Sequence, residues 1–247
     1  MPTPPIGTEP LLASAAIILF AYFVRGVSGF GSGLIAVPLL AHFWPLTLTV
    51  PMILVTDFTA SVVLGRATRG HIRWEEIRAL VPASAVGVIV GVSLLIHLPK
   101  EPLLAALGLF VIAFGARNAL GLHTEKHAVS QWWALPAGLT GGTVGALFGT
   151  GGPPFVIYLS HRLWDKSQLR ATFSGLFLID GGLRIVAFIF TGLLRQRELA
   201  WALPAALPLV GLGLFLGHRV HVGLTQAKMQ RLIGLLLLAS GASLLWR

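Results

Sequence analysis

The stretch Gly149-Thr150-Gly151-Gly152-Pro153-Pro154 interrupts a long apolar region of the sequence. Glycine weakens a helix interior, and each helix end leaves backbone N–H or C=O groups without partners inside the helix. In a lipid bilayer such a break is tolerated only where protein or a water-filled cavity satisfies those groups. The stretch therefore predicts a broken helix around a membrane-embedded site.

A second stretch of the same kind, Gly29-Phe30-Gly31-Ser32-Gly33, lies far upstream. Breaks at corresponding places in two halves of a chain indicate a site near the middle of the bilayer. The apolar segments beside the breaks are expected to be short; they are Leu11–Val24, Leu34–Trp44, Trp132–Leu147 and Pro154–Leu163.

The composition indicates a membrane protein. Of the 247 residues, 55% are hydrophobic and 11% are charged, and the mean hydropathy is +0.82. Soluble domains contain about 25% charged residues, and about 20 apolar residues span a bilayer as a helix. The apolar runs lack the alternation of barrel strands. The sequence therefore predicts an all-α polytopic membrane protein.

The basic excess does not indicate a nucleic acid partner. The net charge is +9, but Lys and Arg are spread through short loops rather than collected on one face. The chain has no cysteine, and neither a metal-ligand spacing nor a Walker-type phosphate-binding loop is present. We expect no cofactor and no metal. The expected partners are a small anion and the lipid bilayer, and homo-oligomer formation is left open.

Two halves of the sequence correspond when they are aligned in order. Phe30-Gly31-Ser32-Gly33 matches Phe148-Gly149-Thr150-Gly151. Later matches pair Glu76 with Glu198, Pro82 with Pro204, Gly91 with Gly213, Gly108 with Gly234, and Gly115 with Gly241. The shared order predicts a loose tail at 1–10, a first membrane repeat at 11–120, a linker at 121–131 and a second membrane repeat at 132–247.

Charge placement indicates how the repeats are oriented. If each repeat is a broken or re-entrant helical hairpin plus three transmembrane helices, its odd number of passes inverts the second repeat. One side then holds Arg66, Arg69, Arg73, Arg78, Arg117, Lys126, Arg162, Lys166, Arg170, Arg219, Lys228 and Arg231, whereas the other holds Lys100, Arg195, Arg197 and Arg247. Basic loops face the cytoplasm. We therefore expect two inverted repeats with both termini outside the cytoplasm.

The breaks are also candidate anion-binding elements. Helices that begin near Leu34 and Pro154 would direct free N–H groups and the positive end of their dipoles into the bilayer centre. The Ser32 and Thr150 hydroxyls add donors at equivalent positions. The alternative is that these glycines only permit close helix contact. The predicted substrate-binding residues are Gly29, Phe30, Gly31, Ser32, Gly33, Gly149, Thr150, Gly151, Gly152, Pro153 and Arg25.

Three charged residues inside apolar segments are candidates for proton coupling. Asp57 and Asp180 lie at nearly equivalent positions, and a carboxylate buried without a partner favours its protonated form. Arg184 follows Asp180 by one helical turn, so a structural pair within the helix is the alternative there. Asp57 has no such neighbour on its helix. For Arg25 the sequence leaves two positions open, in the cavity or at the outer interface.

The two glycine motifs, the chain length, the cysteine-free apolar composition and the two-repeat layout resemble the TauE/SafE family of sulfite and organosulfonate exporters. The resemblance extends over nearly the whole chain. It implies a secondary transporter that moves a small sulfur-containing anion, such as sulfite, sulfoacetate or a related organosulfonate, out across a bacterial inner membrane. With the charge pattern, this puts both termini in the periplasm. The alternatives are an integral-membrane enzyme acting on a lipid-linked anion and a passive anion channel.

Overall fold

The structure, a computed structural model, describes residues 8–28, 31–64, 71–120, 129–219 and 226–246. Within these ranges the chain forms α-helices joined by short turns, and it contains no strand. The all-α prediction is therefore confirmed. The helices are α1 Thr8–Ser28, α2 Ser32–Leu40, α3 Leu46–Leu64, α4 Trp74–His97, α5 Lys100–Ala119, α6 Ala134–Phe148, α7 Gly152–Arg162, α8 Lys166–Phe190, α9 Arg197–Arg219 and α10 Gln226–Leu245.

Two of the described helices are much shorter than the five that could cross a membrane. Five described helices are long and apolar enough to cross a membrane; they are Thr8–Val27, Trp74–His97, Lys100–Ala119, Ser167–Phe190 and Arg197–Arg219. By contrast, α2 has 9 residues and α7 has 11. At about 1.5 Å per residue these two helices reach roughly halfway through a hydrocarbon core of about 30 Å. Each short helix follows one of the glycine breaks.

The first helix corrects one expectation from the sequence. The apolar segment Leu11–Val24 was expected to be short, but α1 has 21 residues and begins at Thr8, inside the predicted tail. Glu9 lies in its first turn, where a negative charge stabilises the helix dipole. At the other end, Gly26 lets α9 approach closely, because a methyl group there would lie 2.7 Å from the carbonyl oxygen of Leu214. The close packing of α1 against α9 thus continues past Arg25.

The two halves contain the same series of five helices, and their contacts recur in pairs. α4 of the first half packs along α6 of the second half, and the equivalent pair is α9 of the second half along α1 of the first. Likewise, the contact of α4 with α8 has its counterpart in that of α9 with α3. Glycines allow both close approaches: a methyl group at Gly87 or at Gly217 would lie 2.2 Å from a carbonyl oxygen of the facing helix.

The equivalent helices α5 and α10 pack on each other and run in opposite directions. Gly108 of α5 lies against Gly241 of α10, whereas Gly115, about two turns later, lies against the earlier Gly234. The contact is reciprocal, as in an interface with two-fold symmetry. Antiparallel equivalent helices are the geometry that an inverted repeat requires. The placement of the two repeats in the bilayer stays a prediction.

Single-cysteine labelling tests this placement, because the native chain contains no cysteine. Glu75 and Glu198 are both exposed, at the beginnings of the equivalent helices α4 and α9. In intact cells we expect a membrane-impermeant maleimide to label a Glu198→Cys variant, and to label Glu75→Cys only after the inner membrane is permeabilised. Labelling of both variants from the same side would contradict the inverted arrangement.

Candidate functional site

The two glycine breaks are true helix interruptions. α1 ends at Ser28 and α2 begins at Ser32, while α6 ends at Phe148 and α7 begins at Gly152. Both new helices therefore begin two residues earlier than the predicted Leu34 and Pro154. At the breaks, Gly31 has φ 98° and Gly149 has φ 69°, left-handed conformations that strain any residue with a Cβ.

The structure brings the two breaks into contact. A methyl group at Gly33 would lie 2.7 Å from the carbonyl oxygen of Gly149, so the two backbones touch. Ser32 precedes Gly33 in the sequence and Thr150 follows Gly149, and both side chains are buried. Gly29 and Phe30, the other predicted residues of the first motif, lie outside the described residues.

The two short helices offer different numbers of amide donors. The first turn of α2 contains Ser32, Gly33 and Leu34, all with backbone N–H groups. The first turn of α7 contains Pro153 and Pro154, which have none. Fewer N–H groups are therefore available to an anion at the second break, where Gly151 and Gly152 provide the backbone donors.

Arg25 and Asp57 form a buried ion pair beside the first break. The guanidinium of Arg25 donates to Oδ1 of Asp57, and Arg25 is only 7% exposed. The Ser32 hydroxyl donates to the same carboxylate oxygen at 2.7 Å and accepts from Nη1 of Arg25 at 3.1 Å. Tyr22 adds a hydroxyl 2.5 Å from that oxygen. The first break thus carries a cation, a carboxylate and two hydroxyls in one cluster.

This cluster gives Asp57 a partner that its own helix does not offer, and it places Arg25 inside the protein. Asp57 has a cationic partner, but the partner lies on another helix, 32 residues away in sequence. Arg25 points inward rather than to the outer interface, because Ser61 Oγ and the backbone carbonyl of Asp57 also accept from its Nη2. Sequence reasoning did not select Tyr22, because its apolar helix context resembles that of any core tyrosine.

Asp180 and Arg184 form a second buried pair, within α8. Nη2 of Arg184 lies 2.9 Å from Oδ2 of Asp180, at the i, i+4 spacing that the sequence indicated. The Ser84 hydroxyl of α4 donates to Oδ1 of Asp180. Nη1 of Arg184 donates to the carbonyl oxygen of Gly145 at 3.0 Å, in the last turn of α6. The second pair therefore stands at the second break, as the first pair stands at the first break.

One aromatic ring connects the two pairs. The guanidinium carbon of Arg25 lies 5.8 Å from the centroid of the Phe177 ring, and that of Arg184 lies 5.6 Å from it. Both distances are within the range of cation–π attraction. The two ion pairs are therefore neighbours around Phe177, a residue that sequence reasoning did not select.

A separate polar cluster joins the two repeats at the N-terminal end of α4. The carboxylate of buried Glu76 accepts from the Tyr158 hydroxyl at 2.6 Å and from Nε of Arg162 at 2.9 Å. Nη1 of Arg162 also donates to the carbonyl oxygen of Val129. Glu76 belongs to the first repeat, whereas Tyr158 and Arg162 belong to the second, so this cluster holds α4 and α7 together.

Among the described residues, no group of His, Cys, Asp and Glu is arranged to hold a metal ion.

A family model described as sulfite exporter TauE/SafE matches residues 14–244, nearly the whole chain. The protein belongs to the TauE/SafE family. It is therefore a membrane transporter rather than an enzyme, and the enzyme alternative is set aside.

Two curated relatives extend over most of this TauE/SafE chain. The probable inner membrane transporter protein TsaS of Comamonas testosteroni is 28% identical over 199 residues, which cover 79% of this chain and 83% of that protein. The probable sulfite/organosulfonate exporter TauE of Cupriavidus necator is 23% identical over 243 residues, 96% of this chain and 94% of that protein. No solved structure matches the chain.

The buried Arg25–Asp57 pair makes a prediction for stability. Removing one partner of a buried pair leaves an uncompensated charge and costs about 3–5 kcal/mol, whereas removing both avoids that cost. We expect Arg25→Gln to lower the free energy of unfolding in detergent more than the double variant Arg25→Gln/Asp57→Asn does.

The exposed pair Arg73–Glu75, whose closest charged atoms are 3.6 Å apart, serves as the control. Its disruption should change stability by less than about 1 kcal/mol. If the stability losses of the single variants Arg25→Gln and Asp57→Asn simply add in the double variant, the two residues do not form the described pair.

Proposed function

We propose that this protein exports a small sulfur-containing anion, such as sulfite, sulfoacetate or a related organosulfonate, across the inner membrane. The family and the Cupriavidus necator relative, a probable sulfite/organosulfonate exporter, support this substrate class. The observation that carries the proposal is the contact of Gly33 with Gly149, which joins two half-membrane helices next to a buried arginine.

The anion would bind where the breaks meet. The free N–H groups of α2 and its dipole attract a negative charge, as do the amides of Gly151 and Gly152. Arg25 and the Ser32 hydroxyl now satisfy Asp57, and sulfonate oxygens would accept from the same donors when the anion replaces that carboxylate. Thr150 is the equivalent hydroxyl at the second break.

Transport requires that the site open to each side in turn. Ser32, Thr150, Arg25 and Asp57 are buried, so the described conformation is closed around the breaks. Rigid movement of one repeat against the other would expose the site alternately. On the face we assign to the cytoplasm, this movement would separate Glu76 from Arg162, which lie in different repeats.

Export needs no separate energy-coupling domain. A membrane potential that is negative inside favours exit of an anion by about 2.3 kcal/mol per charge per 100 mV. If Asp57 or Asp180 takes up a proton as its arginine binds the anion, because a protonated carboxyl group releases the cation, the proton would leave together with the anion. Export of a singly charged anion would then be electroneutral, so this coupling would cancel the drive from the potential rather than add to it.

Counterflow in proteoliposomes tests the proposal. We expect vesicles loaded with sulfite or sulfoacetate to accumulate the labelled anion from outside, with saturation. Gly33→Ala should lower this exchange about tenfold or more, because its methyl group would meet the Gly149 carbonyl. Gly182→Ala is the matched control, since among the described residues no atom beyond the adjoining backbone of its own helix lies within 4 Å of its added methyl group.

The outcomes separate the remaining possibilities. No exchange of any sulfur oxyanion would contradict the proposed substrate class. Flux that neither saturates nor shows counterflow would indicate a passive channel. If correctly folded Asp57→Asn and Asp180→Asn variants both keep the flux and its pH dependence of the native protein, neither carboxyl group couples protons to transport.

A further inference from the structure

The guanidinium of Arg184 has N–H donors that find no hydrogen-bond acceptor among the described residues. Arg184 is 1% exposed, and an arginine offers five N–H groups. Nη1 donates to Gly145, but Nε and Nη2 make no hydrogen bond within the described residues, and neither does Oδ2 of Asp180. The Nη2–Oδ2 contact is close without being aligned. Because both partners of this ion pair lie on one helix at the i, i+4 spacing, the Nε–Nη2 edge of the guanidinium is left without a hydrogen bond; we call this the unfilled edge.

This unfilled edge belongs to a cation that lies at the second break. A methyl group at Gly145 would lie 3.4 Å from the guanidinium carbon of Arg184 and 3.2 Å from the Cα of Gly151. Next to Gly151, α7 begins with Gly152 and two prolines that donate nothing. The arginine therefore provides N–H donors where the backbone offers fewer of them than at the first break.

The same arrangement occurs around Arg25 at the first break. Nε of Arg25 is also without a hydrogen-bond partner in the described part of the chain. Both guanidinium groups approach the ring of Phe177 within 6 Å of its centroid. A buried donor left unfilled is costly, so two cations with unfilled donors around one ring point to a missing acceptor.

We propose that Arg184 is the second anion-binding arginine of this transporter, and that the Nε–Nη2 edge binds two oxygens of the sulfite or sulfonate group. The geometry suits this ligand, because a guanidinium edge presents two parallel N–H groups to two oxygens of one oxyanion. The inference rests on the proposed function and adds a cationic group from the second repeat to it.

Asp180 then acts as the internal competitor of the substrate. The anion replaces Asp180 beside Arg184, and the Ser84 hydroxyl, which donates to Oδ1, keeps the displaced carboxylate hydrogen-bonded. Removing the negative charge at residue 180 should therefore strengthen anion binding. A purely structural Asp180–Arg184 pair makes no such prediction.

Equilibrium binding of sulfite and of sulfoacetate to the purified full-length protein tests this role. We expect Arg184→Lys, which keeps the charge but loses the planar edge, to weaken binding about tenfold or more, as one lost charge-assisted hydrogen bond would. Arg73→Lys, at an exposed arginine paired with Glu75 outside the breaks, is the control and should keep its affinity within about twofold. Asp180→Asn should bind at least as tightly as the native protein.

Each result bears on one proposal or the other. Unchanged affinity in Arg184→Lys would overturn the role of Arg184 and leave the proposed function standing. If Arg184→Lys does not fold, Asp180→Asn decides, and weaker binding by this folded variant would overturn the inference. Failure of the native protein to bind any sulfur oxyanion would instead contradict the proposed function.

Discussion

The close contact between the backbones of Gly33 and Gly149 is the constraint on which the site is built. No side chain fits there, since even a methyl group at Gly33 would come within 2.7 Å of a carbonyl oxygen. The contact occurs where α1 and α6 end inside the protein. In lipid, the free backbone groups at such helix ends need hydrogen-bond partners within the protein. Arg184 donates to the carbonyl of Gly145 in the last turn of α6, and this carbonyl also accepts from the backbone N–H of Gly149 at the break. Chain interruption and buried charge are thus parts of one arrangement.

The sequence predicted the features that depend on local chemistry. Glycine at residues 31 and 149 predicted breaks, because a left-handed backbone favours a residue without a Cβ. The i, i+4 spacing predicted the contact between Asp180 and Arg184, because residues four apart share one face of a helix. The apolar composition predicted the all-α membrane fold. Each of these follows from a few neighbouring residues.

The features that sequence reasoning missed depend on packing between distant helices. Arg25 reaches Asp57 across 32 residues, and Ser84 reaches Asp180 across 96, so no local spacing reveals either pair. Phe177 is one of 14 phenylalanines in an apolar chain, and only the fold brings it near both arginines. Polar residues buried in such helices are therefore better judged by the helices that face them than by their own sequence neighbours.

Locating a bound anion is the most direct test of an anion site at the meeting point of the two breaks. Selenite has the shape and charge of sulfite, and its selenium can be located by anomalous diffraction from crystals of the full chain. The account predicts a selenium peak beside the Gly33–Gly149 contact, within hydrogen-bonding reach of the Arg25 guanidinium. A peak elsewhere in the protein, or saturated transport-competent protein with no peak between the breaks, would contradict it.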